Sequence, residues 1–189
     1  YFQIVNSGPL KIFADITHCT FVGNSDASGK ASAVICVENN AFVRPANSIF
    51  ADFSGRNLNV YGGGDFESQG GNFCDDSTKV VRTTAEGTSP YLLDHLYDYP
   101  ETNPLLSSLT ASGTVIPHHR LQSGSPAISY AFQSTASIDQ LGSARGVQPD
   151  SDAVEFDGTG RLIINEIQHS EGTINFFEII APRDNAPID

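Results

Sequence analysis

Apolar and polar positions along this chain alternate only over short stretches, and turn-forming residues break the pattern every few positions. The phrase ASAVICVEN, from Ala31, reads as a strand that is either alternating or wholly buried. IFADITHCTFVGNSD from Ile12, ANSIFADFSGRN from Ala46 and FESQGGNFCDD from Phe66 share one layout. Each has a polar residue, one or two apolar residues, a Phe, and then a turn rich in Asn, Asp, Gly or Ser. Phe21, Phe50 and Phe73 fall at equivalent places, 29 and 23 residues apart, a spacing that suits repeated coils with loops of variable length. The best helical candidate is SPYLLDHLYDY, around Leu92 to Tyr97. After Arg161 two strongly apolar runs, LIINEIQ and INFFEII, flank the turn HSEGT and predict a hairpin ending near Ile180.

This pattern predicts an all-β chain of many short strands. The 17 glycines are spread along the sequence, as tight turns require. Stacked coils of a parallel β-helix fit the irregular repeat better than an antiparallel sandwich does. One coil cannot bury its apolar face alone, so several must stack. Asn24, Asn47 and Asn72 are the candidates for left-handed turn positions with side-chain ladders.

Charge narrows the partners. The chain carries 22 acidic and 10 basic residues, a formal charge of −12. Lys and Arg are nowhere clustered, which argues against nucleic acid and anionic lipid surfaces. No signal peptide or membrane-spanning run is present and there is no Met, as expected of a mature or excised piece, and Tyr1-Phe2-Gln3 resembles the tail of a protease-tag site. Cys19, Cys36 and Cys74 have no CxxC spacing, so a structural zinc site is not expected. They read as small buried residues, with Cys19 and Cys36 the first pairing to test.

Three further motifs follow in order between Asn103 and Phe156: NPLLSSLTASGTVIPHHRLQSGSPAIS, DQLGSAR and PDSDAVEF. Pro104-Leu105-Leu106 with Leu109 predicts an apolar plug over the last coil. Gly124 to Ile128 predicts a tight turn entering a buried strand. Asp139-Gln140 and Arg145 predict a local polar clamp, since the Arg fork matches a carboxylate. This order resembles the closing segment of secreted, surface-anchored β-helix proteins of the choice-of-anchor Q type, with their PLL turn, "PGSPAID" loop, "DQRG" loop and "GAFE" end. THCTFVGNS (Thr17 to Ser25) is similar to that family's coil phrase "NCTFSGNSA". The chain departs from the family at Ser129, Leu141 and Val154-Glu155-Phe156, which puts a shared polar network in doubt. The resemblance implies a right-handed parallel β-helix, an address outside the cell, and the C-terminal part of a longer solenoid. LIINEI and FFEII resemble the opening of a lamin-tail-like immunoglobulin-type domain, though the run after Arg161 is far short of one. The hairpin then either belongs to a cut domain, packs on the coils, or pairs with a neighbouring copy.

Candidate chemistry is sparse. Asp150, Asp152, Glu155 and Asp157 form an acidic run that offers oxygens to calcium, without EF-hand spacing; Asp75-Asp76 is a second such place. The alternative for both is solvated loop acids. Adjacent His118 and His119 on a strand point to opposite faces and are not expected to share a metal. A polysaccharide lyase needs a strong base, yet Lys11, Lys30 and Lys79 lie in no site phrase, and no carboxylate pair is singled out for hydrolysis. GxSxG, P-loop and HExxH motifs are lacking.

The expected organisation is β-helix coils with a long loop over residues 1–102, an end-cap over 103–157, and a β-hairpin or truncated further domain over 158–189. The expected function is a non-catalytic extracellular or cell-surface structural and adhesive module, with no catalytic or cofactor-binding residue assigned and calcium as the one candidate ion. A carbohydrate-binding or carbohydrate-active β-helix is the alternative, to be supported by exposed Tyr61, Tyr91, Tyr97 or Tyr99. A filament subunit assembling through exposed strands or solenoid ends is the third reading. Expected partners are an extracellular carbohydrate or protein, or further copies of the chain, with no nucleic acid and no membrane insertion.

Overall fold

The computed structural model describes residues 2–5, 12–24, 33–38, 41–52, 56–61, 64–76, 82–84, 87–89, 92–111, 116–158, 163–170 and 173–180. It forms two compact units, Tyr1–Glu155 and Phe156–Asp189. Among the described residues there is no helix, and the protein is all-β.

In the first unit the strands are β1 (Phe2–Val5), β2 (Ile12–Thr17), β3 (Thr20–Val22), β4 (Ala33–Glu38), β5 (Ala41–Ala46), β6 (Ile49–Ala51), β7 (Arg56–Tyr61), β8 (Asp65–Phe66) and β9 (Phe73–Cys74). A short antiparallel pair follows, β10 (Arg82–Thr84) with β11 (Gly87–Ser89). The first nine strands form three parallel three-stranded sheets, ordered β1-β4-β7, β2-β5-β8 and β3-β6-β9. The chain visits the sheets in rotation, so each of β1 to β6 pairs with the third strand after it.

Turn residues explain where the strands break. His18 lies between β2 and β3 with φ 50°, and Asn47 lies between β5 and β6 with φ 51°. In the next repeat Gly70 and Gly71 take positive φ at the same place. The turns stack as the strands do: the His18 amide donates to the Ala46 carbonyl, and the Asn47 amide to that of Gly70. Of the three asparagines expected to be left-handed, only Asn47 is. Asn72 follows the Gly pair and works through its side chain instead: its Oδ1 accepts from the Ser48 amide at 3.1 Å, and its Nδ2 donates to the Pro45 carbonyl at 3.0 Å.

The Phe register holds for one repeat and slips in the next. Phe21 pairs with Phe50, their rings stacked 5.4 Å apart, but Phe50 pairs with Cys74 and Phe73 with Ile49. The Gly70-Gly71 turn carries one more residue, and a one-residue shift sends a strand side chain to the opposite face. Phe50 therefore joins Ile35, Val37, Val43, Leu58 and Phe66 in the main core, whereas Phe73, also fully buried, stacks on Tyr99 at 5.0 Å and meets Tyr130 edge-on.

The segment read as helical is a turn, and it supplies the plug that Leu105 and Leu109 were expected to form. Leu92 and Leu93 are buried in the main core. Leu105 and Leu109 are exposed, and Pro104 alone of that phrase is buried. The physical reason is local: Leu105 sits at φ 50° on an Asn103 Asx turn, which aims it outward.

The second unit contains β12 (Ile163–Ser170) and β13 (Thr173–Ile180), an antiparallel pair with register irregularities between Ile164 and Glu166 and between Gln168 and His169.

Candidate functional site

The polar residues of the closing segment meet the turns of the sheets around Arg145. Its guanidinium is 2% exposed and forms an ion pair with Glu155 at 2.9 Å. Its other donors go to backbone carbonyls: Nη2 to Asp152 at 2.8 Å and Ala153 at 3.2 Å, Nε to Ile138 at 3.3 Å. The expected clamp with Asp139 does not form. Asp139 instead accepts from the amides of Leu141, Ser143 and Glu155 at 2.9, 2.8 and 3.0 Å, stapling its own loop. A buried carboxylate satisfied by three amides has no need of the guanidinium, which turns to the carbonyl-rich run that follows.

Three of the four acids proposed for calcium gather here. Asp150 is buried and accepts from the Ser129 amide at 2.6 Å; Glu155 faces Arg145; Asp152 is fully buried. Asp157 belongs to the second unit and is exposed. Among the described residues no group of three His, Cys, Asp or Glu side chains is arranged to hold a metal ion. The positive charge at the centre of the three acids is Arg145. Asp75 and Asp76 are spent similarly, accepting from Asp52, from the Asn57 amide and from the Asn57 side chain.

Asp152 is the outlier. Neither carboxylate oxygen has a hydrogen-bond partner, and Arg145 Nη1 stands 4.0 Å away with its donors aimed elsewhere. Burial first, then the negative charge of Asp150, push its carboxyl up to about 8 against the pull of Arg145. Desolvation thus outweighs the attraction of Arg145, which reaches Asp152 only at 4.0 Å.

Sequence reasoning singled out neither His18 nor Ser134. His18 Nε2 lies 2.6 Å from Ser134 Oγ, and Nδ1 lies 3.2 Å from the Asp152 carbonyl. A carbonyl only accepts, so Nδ1 carries the proton and Nε2 accepts from the Ser134 hydroxyl. Burial, and then the charge of Arg145, lower the His18 pKa, which keeps the ring neutral. These contacts join positions 116 and 134 residues apart, a separation no local motif encodes. The His18-Cys19 turn, the start of β3 and the closing segment line an open cavity of about 610 Å³, with Phe21, Ala136, Ile138, Gln140 and Arg145 among its lining.

His118 is buried and His119 half-buried, each bonded to a different carbonyl, those of Ile116 and Ser107. Cys19 and Cys74 are free thiols; burial raises both, Cys74 the more strongly. The Cys36 side chain, Tyr91, the Tyr61 side chain and the three lysines lie outside the described residues. Tyr97 and Tyr99 are 41% and 37% exposed. Tyr97 stacks on Phe132 at 4.3 Å, and Tyr99 meets Tyr130 at 4.8 Å.

The class so defined is an all-β protein of short strands in parallel sheets, with a polar closing segment built around a buried arginine. No family model matches the chain. No curated protein and no solved structure matches it. Among the described residues no helix is long and apolar enough to cross a membrane.

Proposed function

We propose that this chain is the closing part of a right-handed parallel β-helix of the choice-of-anchor Q type. In this reading it is secreted or displayed at a cell surface and acts as a structural and adhesive module. The observation that carries the reading is the threefold rotation of the chain through parallel sheets, β1-β2-β3 then β4-β5-β6 then β7-β8-β9, with the turns stacked in step. Coils that stack this way bury an apolar face that none could bury alone and leave a long lateral surface for contact. The use of Arg145, Asp139, Asp75 and Asp76 in tying loops down supports a scaffold role for the polar closing motifs. The test is to coat beads with the chain and measure retention on immobilised extracellular carbohydrates and matrix proteins, with surface protease shaving of the native source in parallel. Saturable retention and loss of the protein on shaving are expected; an intracellular, protease-protected protein sinks the reading.

The exposure of Tyr97 and Tyr99 favours carbohydrate as the contacted partner. Partly exposed aromatic rings suit the apolar face of a sugar, and the formal charge of −12 favours a neutral oligosaccharide over a uronate. Replacing both tyrosines with Ala is expected to abolish retention on neutral glycans; because the rings also pack on Phe132 and Phe73, retention is compared at a temperature where circular dichroism shows the variant folded. Unchanged retention removes this partner.

A further inference from the structure

The cavity beside the His18-Cys19 turn carries a chemistry that a scaffold does not require. We propose that Ser134 and His18 form a nucleophile–base pair that accepts short apolar acyl groups from uncharged carboxylic esters. The geometry has the three parts such a pair needs: a hydroxyl 2.6 Å from the acceptor nitrogen of the imidazole, a second ring nitrogen fixed 3.2 Å from the Asp152 carbonyl, and a cavity beside them. Hydrogen bonding of Nδ1–H to a backbone carbonyl selects the tautomer in which Nε2 has its lone pair toward Ser134. Ser134 is itself partly exposed and stands at the edge of the cavity: its Oγ is bonded to His18 Nε2 and accepts from the Ala136 amide at 3.2 Å, and both of those residues line the cavity. About 610 Å³, bounded by Phe21, Ala136 and Ile138, suits a short acyl chain, and the acidic chain disfavours an anionic one.

Ser134 Oγ attacks the ester carbonyl carbon, and its proton passes to His18 Nε2. The alcohol leaves with that proton as the carbon–oxygen bond breaks, and the acyl group remains on Ser134. Water then adds with its proton going to His18, and the acid departs as Ser134 recovers the proton. Arg145 lines the cavity, but its donors are turned to Glu155 and to carbonyls, so it offers the developing oxyanion charge without a hydrogen bond. Turnover is therefore slow, and the covalent serine adduct is the direct readout.

The experiment incubates the whole chain with a fluorophosphonate probe and locates the adduct by peptide mass spectrometry. Labelling at Ser134 at least tenfold faster than at any other serine is expected, with a tenfold or greater loss in His18→Gln. The wild-type rate should fall as pH drops below 6.5, where His18 takes up a proton, and 4-nitrophenyl butyrate should compete. Labelling at Ser134 no faster than elsewhere, or insensitive to His18→Gln in a variant that melts like the parent, overturns the proposal and leaves the pair a structural tie. If His18→Gln does not fold, a wild-type labelling rate without a fall below pH 6.5 overturns it equally.

Discussion

Asn47 and Phe132 exchange two hydrogen bonds: Nδ2 donates to the Phe132 carbonyl at 3.1 Å, and the Phe132 amide donates to Oδ1 at 2.6 Å. The side-chain amide acts as a single rung of a strand pair and fastens the closing segment to a turn of the sheets. Asn47 is also buried and left-handed, so one residue meets two demands. Asn47→Ala leaves both backbone groups of Phe132 without partners and puts an alanine at positive φ. The expected cost is about 2–4 kcal/mol in urea unfolding. Asn47→Gly restores the backbone freedom and should recover only the smaller part of that loss. A parent-like midpoint for Asn47→Ala would show that the rung contributes nothing. Gly71→Ala is expected to disturb the same contact, because a β-carbon there runs into Asn47 Oδ1.

Phe50 is fully buried at the centre of the main core and stacked on Phe21. Truncation to Ala removes contacts on every side, and stacked strands have little freedom to close the void. A loss of about 3–5 kcal/mol is expected, read as a lower thermal midpoint by circular dichroism. Phe21→Ala, at a partly buried end of the same column, should cost less than half as much.

Asp152 makes the first unit less stable as pH rises. A carboxyl near 3.8 in the unfolded chain and about 8 in the folded one binds a proton on folding. Its contribution is full below pH 3.8, declines through the range between, and is fully lost above about 8. His18 works the other way: its folded value is lowered, so stability is lost as pH falls below 6.5. The window from pH 6.5 to 8 isolates Asp152. Stability in urea should fall there in the parent and stay level in Asp152→Asn, which should be the more stable protein at pH 8 by a margin on the order of a few kcal/mol. Identical slopes in the two proteins would falsify the assignment.

Arg145 holds together four carbonyls and Glu155 while its side chain is nearly wholly buried. Arg145→Met leaves the Glu155 carboxylate without its cation, at an expected cost of about 3 kcal/mol. Arg145→Lys keeps the charge but cannot reach carbonyls on two sides, so it should recover less than half of the loss. Hydrogen exchange should show the change concentrated at the amides of Asp139, Gln140 and Glu155, whose partners lie in the same loops.

The strand content and the hairpin beyond Arg161 were legible in the sequence because both rest on local signals, short apolar runs cut by turn residues. The register of Phe21 with Phe50 was legible for the same reason. The slip at Phe73 was not, since it depends on one added residue in a glycine turn. SPYLLDHLYDY reads as helical from the spacing of its leucines. The structure overrides that preference by burying Leu92 and Leu93 in the core and pairing the Tyr99 amide with the Asn72 carbonyl. The sequence marks Arg145 as a staple but points it to Asp139, because nearness along the chain says nothing about how many amides Asp139 already serves. The His18–Ser134 contact had no sequence signal at all.

The distances along the chain between bonded partners set an order of assembly. Partners in the parallel sheets lie 23 to 33 residues apart, as with Ala33 and Arg56 or Phe2 and Ile35. The ties of the closing segment span 85 to 134 residues. Bringing together ends four times farther apart costs roughly 1 kcal/mol more in chain entropy. That cost is met only once the turns bearing His18 and Asn47 exist as a surface to close upon. The closing segment therefore docks after the sheets have formed, and stopped-flow refolding should show Asn47→Gly, which removes the tie and keeps the turn, altering the unfolding limb while leaving the folding limb nearly unmoved.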